Sequence, residues 1–320
     1  MSTFLIILLS AVGLLIAACL ALALVAAFRG ILRIDYDGLF RDNSLTTSAR
    51  GKFAERIYAD VSEIESLPME TIYIESFDEL KLASRLLLAE TSAIGTVICF
   101  HGLRSKSEKD YGAQAVFFHK LGYNVLLPDQ RSHNRSEGRW ICYGVRERYD
   151  CLQWTKLMSE RFGAELPIFL SGQSMGAATV MMASNLELPR NVLGIVSDCG
   201  FSSVAAEFQY VLNTEFHIPT FPTLFLMGMW CRLIAGIGLW KVSPTKSLSE
   251  SKVPVLFFHG KKDTLVPYYM GEENFKACTV PKFFVSSEIA DHCTCWYEDT
   301  NGYKHSLLDF FEFCRKSHSV

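Results

Sequence analysis

The sequence predicts an α/β fold: a mostly parallel, doubly wound sheet with a helical lid insertion, preceded by one N-terminal transmembrane helix. Three observations carry that prediction. From Glu70 onward, short β-rich runs alternate with helix-length stretches of mixed polarity. Residues 201–242 break the alternation with Phe, Leu, Met, Trp, Pro and Gly and no strand pattern. Met1–Phe28 carries no charged side chain at all.

The apolar run Phe4–Phe28 is long enough, at about 1.5 Å per residue, for a helix of ~37 Å, against a hydrocarbon core of ~30 Å. A secretory signal is the main rival. It would begin with a basic segment and carry a shorter apolar stretch, and neither feature is present. A retained anchor over residues 1–28 is therefore expected. Arg29, Arg33 and Arg41 all flank its C-terminal side, which sets the soluble part on the cytoplasmic face; Asp35, Asp37 and Asp42 weigh little. Cysteine usage agrees. Of 10 Cys, Cys19 lies in the span and leaves an odd number, and Cys99 and Cys199 sit in apolar strand-like runs.

Residues 29–69 read as a juxtamembrane connector, partly helical over Ala49–Ser66, and residues 70–320 as the main domain. Thr71–Glu75 and Lys81–Leu88 form an opening antiparallel pair. Buried parallel strands follow at Thr96–Phe100, Tyr123–Leu127, Pro167–Leu170, Val192–Ser197, Val255–Phe258 and Lys282–Val285. Helices are expected between them at Asp110–Leu121, Arg146–Phe162 and Met175–Leu186, with a last one at Tyr303–Cys314. Right-handed crossovers would join such strands into an open sheet. Within the insertion, Phe221–Trp240 is apolar enough to resemble a second span. Arg232, the prolines at 219 and 222 and the glycines at 228, 236 and 238 argue instead for a lid, with plain core helices as the alternative.

The chemistry concentrates at Pro167–Gly176, PIFLSGQSMG. An apolar strand runs into Gly172-Gln173-Ser174-Met175-Gly176, and a helix of small residues follows. That is G-x-S-x-G in its strand–turn–helix setting, where the turn lifts a serine hydroxyl to the head of a helix. Ser174 is the expected nucleophile. Its hydroxyl needs a base and the base an orienting carboxylate, and in this chain order the acid comes next and the histidine last. His292 lies in a loop after the final strand, whereas His305 is in the terminal helix and His318 in the tail. Asp263, directly after the strand VPVLFFHG, is the preferred acid. Asp198 is its rival, read more simply as shaping the entry to the lid, and Asp291 is too close to His292 in sequence to face it. Backbone N–H groups of Leu103 and Met175 are expected to hold the oxyanion. His101 reads as a structural hydrogen-bonder.

HGLRSKS, LLPDQRSHNRSEG, SGQSMGAAT, HGKKDTLVP and ADHCTCWYEDTNGYKHSLLDF together resemble the successive signatures of the α/β-hydrolase superfamily. They are most similar to membrane-anchored bacterial hydrolases with a prolyl-oligopeptidase or serine-aminopeptidase-like core. The resemblance covers about residues 70–317 and implies the α/β-hydrolase fold and a Ser–Asp–His triad at Ser174, Asp263 and His292. Asp129–Gly138 departs from the family's D-x-R-x-x-G-x-S-x-G loop by carrying Asn134 in place of Gly.

Composition excludes other classes. With 31 Lys+Arg against 34 Asp+Glu, the chain lacks the surplus cations of a nucleic-acid binder. No phosphate-cradling glycine motif or zinc spacing implies a cofactor or metal. Cys293 and Cys295 read as packing residues, and Arg131, His133, Arg135 and Arg139 as a solvated loop rather than an anion site. The reading that results is a single-pass membrane serine hydrolase acting on a small-molecule or lipid-like acyl substrate, esterase-like, with a peptidase as runner-up. A catalytically idle membrane scaffold is the alternative from another class. Oligomeric state is not legible.

Overall fold

A computed structural model describes residues 3–33 and 49–318. Arg41, the acidic residues near it and part of the expected connector lie outside the described residues. Helix α1 spans Thr3–Ile31. A 3₁₀ turn, Ala49–Phe53, leads into α2, Ala54–Ser66. Strands β1 (Met69–Glu75) and β2 (Lys81–Leu87) pair antiparallel, with Met69 opposite Leu87.

The doubly wound part then alternates as expected: β3 Thr96–Phe100, α3 Ser107–Lys120, β4 Asn124–Pro128, α4 Glu147–Phe162, β5 Ile168–Gln173, α5 Met175–Ala183 and β6 Val192–Asp198. The insertion holds α6 (Val204–Thr214) and α7 (Thr220–Ala235), followed by the short α8 (Pro244–Leu248). The chain closes with β7 Val255–Gly260, α9 Tyr268–Ala277, β8 Lys282–Ser287, α10 Cys295–Glu298 and α11 Thr300–His318. The sheet order is β1-β2-β4-β3-β5-β6-β7-β8. Only β1–β2 and β2–β4 pair antiparallel; β4 through β8 are joined by parallel ladders.

Strand periodicity divides the core. Val97 and Cys99 face one layer, with Tyr111 and Phe118 of α3 and Leu307 and Phe311 of α11, while Ile98 and Phe100 face the other, with Trp154 and Met158 of α4. Both faces are covered, so β3 is buried along its whole length. The helix expected within the connector is bound into this core: Ile57 and Ile64 of α2 are fully buried, and α2 packs on α3. A third cluster lies above the sheet. It joins Phe208, Leu224 and Met227 of the insertion to Ile141 and Tyr143, and also to Ala27 and Ile31 of α1.

Candidate active site

Ser174 stands between β5 and α5 with φ of 54° and ψ of −117°, a left-handed turn that a serine adopts only under constraint. The flanking glycines are required by contact. A Cβ on Gly172 would lie 2.2 Å from the Gly176 carbonyl oxygen, and one on Gly176 1.9 Å from the Phe100 carbonyl oxygen. Strand β3 therefore presses against the turn, and the loop after it reaches the nucleophile: a Cβ on Gly102 would be 3.4 Å from Ser174 Cβ.

His292 and Asp263 meet this serine from loops after β8 and β7. His292 Nε2 lies 2.9 Å from Ser174 Oγ, and His292 Nδ1 lies 2.9 Å from Asp263 Oδ2. Asp263 is held on its other oxygen by the N–H groups of Leu265 and Val266, at 3.0 and 2.7 Å. Asp291 turns away, as expected. Its carboxylate accepts the N–H of Thr264 at 2.9 Å and that of His292 at 2.7 Å, tying the two loops together. Burial would lower the His292 pKa, but the Asp263 carboxylate, with Cys293 behind it, outweighs that and holds it well above the usual histidine value.

Asp198 takes no part in this chain of bonds. Its Oδ2 accepts the Tyr303 hydroxyl at 3.1 Å, and burial, then Cys293, push its carboxyl up to about 8. His101 is buried; its Nε2 accepts the Gln130 N–H at 3.0 Å and its Nδ1 lies 2.7 Å from the Gly102 carbonyl oxygen. Leu103 follows in the same loop, and Met175 is the first residue of α5, where helical N–H groups point outward. His305 sits on exposed α11, 3.3 Å from Asp309.

A family model described as serine aminopeptidase, S33 (Hydrolase_4), matches residues 91–227. The Pyrococcus furiosus esterase superposes with a TM-score of 0.61 at 20% identity, over 79% of this chain and 92% of that one. The Penicillium α/β hydrolase GrgF does so at 0.59 and 16%, over 79% of this chain and 100% of its own. The chain has the α/β-hydrolase fold. Similar proteins include Bacillus subtilis YqkD, 26% identical over 68% of this chain and 71% of its own. A Saccharomyces cerevisiae protein described as a membrane protein is 23% identical over 70% of this chain and 72% of its own.

One expectation needs correction. The Arg131–Arg139 loop is solvated only in part: Arg135 and Arg139 are exposed, but Arg131 and His133 are buried. Arg131 is buried between Asp150 and Asp78, at 2.6 and 2.9 Å, and Arg135 bridges Asp129 and Glu108. His133 accepts the Arg104 N–H at 2.9 Å, and its burial holds its pKa down at about 3. Asn134 adopts φ of 46°, so it supplies the left-handed turn for which the family motif carries glycine. Cys293 and Cys295 are both free and buried. Cys293 lies 3.3 Å, sulfur to sulfur, from Cys199, and the ligand atoms of Cys199, His292 and Cys293 fall within 4.8 Å of one another. Both His292 nitrogens are already engaged by Ser174 and Asp263, so the group is better suited to the triad than to a metal.

Two residues near the site carried no sequence signal. Asp110 of α3 accepts the Gly102 N–H at 2.8 Å and pairs with Arg50 at 2.7 Å, which sets the loop that carries Leu103. Glu207 of α6 is buried, its Oε2 has no hydrogen-bond partner among the described residues, and burial pushes its carboxyl up to about 8. Both are ordinary acidic positions on amphipathic helices; only the tertiary fold turns them inward.

Proposed function

We propose that this α/β hydrolase is a serine hydrolase that cleaves an ester or related acyl bond through an acyl-enzyme intermediate. The observation that carries the reading is His292 bridging Ser174 Oγ and Asp263 Oδ2, each at 2.9 Å. Ser174 Oγ attacks the acyl carbonyl while His292 Nε2 takes its proton. Asp263 keeps the proton on Nδ1 and stabilises the imidazolium. The N–H groups of Leu103 and Met175 receive the oxyanion, each donor contributing about 2.7–4 kcal/mol to the barrier reduction. His292 returns its proton to the leaving alkoxide, and water repeats the sequence on the acyl-enzyme with His292 again as base. Residues 201–242 form the lid over this site, and α1 is the membrane anchor of a domain that faces the cytoplasm.

A fluorophosphonate probe tests the reading on membranes that contain the chain. Labelling is expected in the wild type, absent in Ser174→Ala and strongly reduced in His292→Ala. A folded wild type that takes no label would leave the idle scaffold as the reading.

A serine peptidase is the second reading, favoured by Glu207 and by the aminopeptidase description of the matching family model. A buried carboxyl whose field reaches His292 and Asp263 could accept a substrate's amino terminus. Glu207→Gln separates the two: it should spare neutral acyl esters, and would abolish turnover of aminoacyl amides if the second reading holds.

A further inference from the structure

Helix α1 is not a free-standing tether. Every residue from Thr3 to Ala18 is exposed, but from Cys19 onward one face closes, with Ala23, Ala27 and Ile31 fully buried at four-residue spacing. That face packs on α7 of the insertion. A Cβ on Gly30 would touch Met227 and Phe208 at 3.7 Å.

The carboxyl ends of both helices are fastened to one segment of the body. The Ile141 N–H donates to the Ile31 carbonyl at 2.7 Å, the Tyr143 hydroxyl to the Gly30 carbonyl at 3.0 Å, and the Arg33 N–H to the Arg139 carbonyl at 2.9 Å. Arg104 donates to the Arg29 carbonyl. At the end of α7, Gly236 lies against Arg146, whose guanidinium would be 2.7 Å from a Cβ there. The two helices therefore leave this segment side by side.

Length then decides where the bilayer must sit. The exposed stretch Thr3–Ala18 is roughly 24 Å long, short of the ~30 Å hydrocarbon core by about one turn. A spanning α1 must draw part of its packed face into the hydrocarbon, and α7 with it. Helix α7 is suited to that. It has no charged residue before Arg232, and Phe221, at the kink where the helix opens, and Phe225 are 82% and 62% exposed. At 16 residues it is too short to cross. Arg232 and the half-exposed Trp240 close its other end, the residue types that settle at a headgroup boundary.

We propose that α1 and the amino-terminal half of α7 enter the bilayer together, so that the lid is lined by lipid and the substrate is an acyl lipid taken from the membrane. The proposal rests on the reading of α1 as a transmembrane helix and of Ser174 as the nucleophile. One apolar cluster runs from Ala27 and Ile31 through Met227 and Phe208 to Met175, the residue after that serine. The packed face that α1 and α7 bring to the membrane is thus continuous with the apolar packing beside the nucleophile.

The test uses the full chain in phosphatidylcholine–phosphatidylglycerol vesicles, with nitroxide labels at Phe225→Cys, Leu15→Cys and Glu187→Cys in a Cys19→Ala background. The other cysteines are buried, and Glu187 is exposed beyond the end of α5 farthest from the nucleophile. The Phe225 label, like the Leu15 label, is expected to collide with oxygen and be shielded from a water-soluble nickel complex; the Glu187 label should show the reverse. A Phe225 label open to nickel, or shielded from both colliders as a second copy of the chain would shield it, overturns the immersion. Carbonate extraction tests α1 separately, since a chain stripped from vesicles loses the transmembrane reading and the immersion with it. Phe225→Glu should lower hydrolysis of a long-chain acyl ester in vesicles by on the order of tenfold or more, given the cost of a charge near hydrocarbon. Turnover of a water-soluble short-chain ester should stay within about twofold, because residue 225 lies outside the catalytic machinery. Equal loss on both substrates, or on neither, overturns delivery from lipid, and no turnover of either by the wild type overturns the serine-hydrolase reading beneath it.

Discussion

Ser174, His292 and Asp263 form a single hydrogen-bonded line, and its protonation state sets when it can work. In the proposed mechanism the base is neutral imidazole, so turnover should fall as pH drops through the His292 pKa. With Asp263 and Cys293 raising that pKa, the half-maximal pH of kcat/KM should lie above the ordinary value of 6.5. Cys293 contributes because Cys199, 3.3 Å away, together with His292 holds the Cys293 thiol below its ordinary value and favours negative charge beside the imidazole. Cys293→Ala should move the half-maximal pH downward, read from a pH–rate profile. The two candidate acids separate on the same physics. Asp263→Asn should cost roughly 10,000-fold in kcat by losing the correct tautomer. Asp198→Asn should keep activity, because a carboxyl at about 8 is already neutral at pH 7. Initial rates of the two purified variants decide this.

Among the elements, the loop after β3, which bears the proposed oxyanion donor Leu103, is set by residues outside itself. Asp110 of α3 holds the Gly102 N–H, and burial, which alone would raise its carboxyl, is outweighed by Arg50, leaving it at about 2. Asp110→Ala should therefore reduce kcat by about 100-fold with KM little changed, the signature of a misplaced oxyanion donor. Comparing kcat and KM on one ester provides the check. The nucleophile turn is the opposite case, since its glycines are demanded by contacts inside the β3–β5–α5 unit. That is why G-x-S-x-G was legible from sequence while Asp110 was not: one is a local steric code, the other a contact between chain segments.

At the scale of the whole molecule, the anchor and the insertion are one packed unit fastened to segment 139–146. Orientation is the property to test here. The proposed orientation puts Arg29 and Arg33 on the cytoplasmic side, so a protease added to sealed cells should leave the main domain intact and digest it once the inner face is opened. Immunoblotting of a C-terminal tag reads this directly, and digestion in sealed cells would reverse the orientation.

By itself the sequence determined the alternation of strands and helices, the apolar N-terminal helix, the helical insertion and the serine turn. Each is written in local periodicity, charge or steric need over a few residues. Strand ends differ by one to three residues from the expected ones, as at Asn124–Pro128 and Ile168–Gln173, because the ladders continue into polar positions. Only the tertiary structure decided that Asp263 and not Asp198 faces His292, that Arg131 is held in a buried ion pair with Asp150 while Arg135 reaches the buried Asp129 and Glu108, and that Cys293 meets Cys199. It also decided that α1 lies along α7. These facts depend on partners far apart along the chain, and no periodicity or motif encodes which of several chemically equivalent residues packing will bring together.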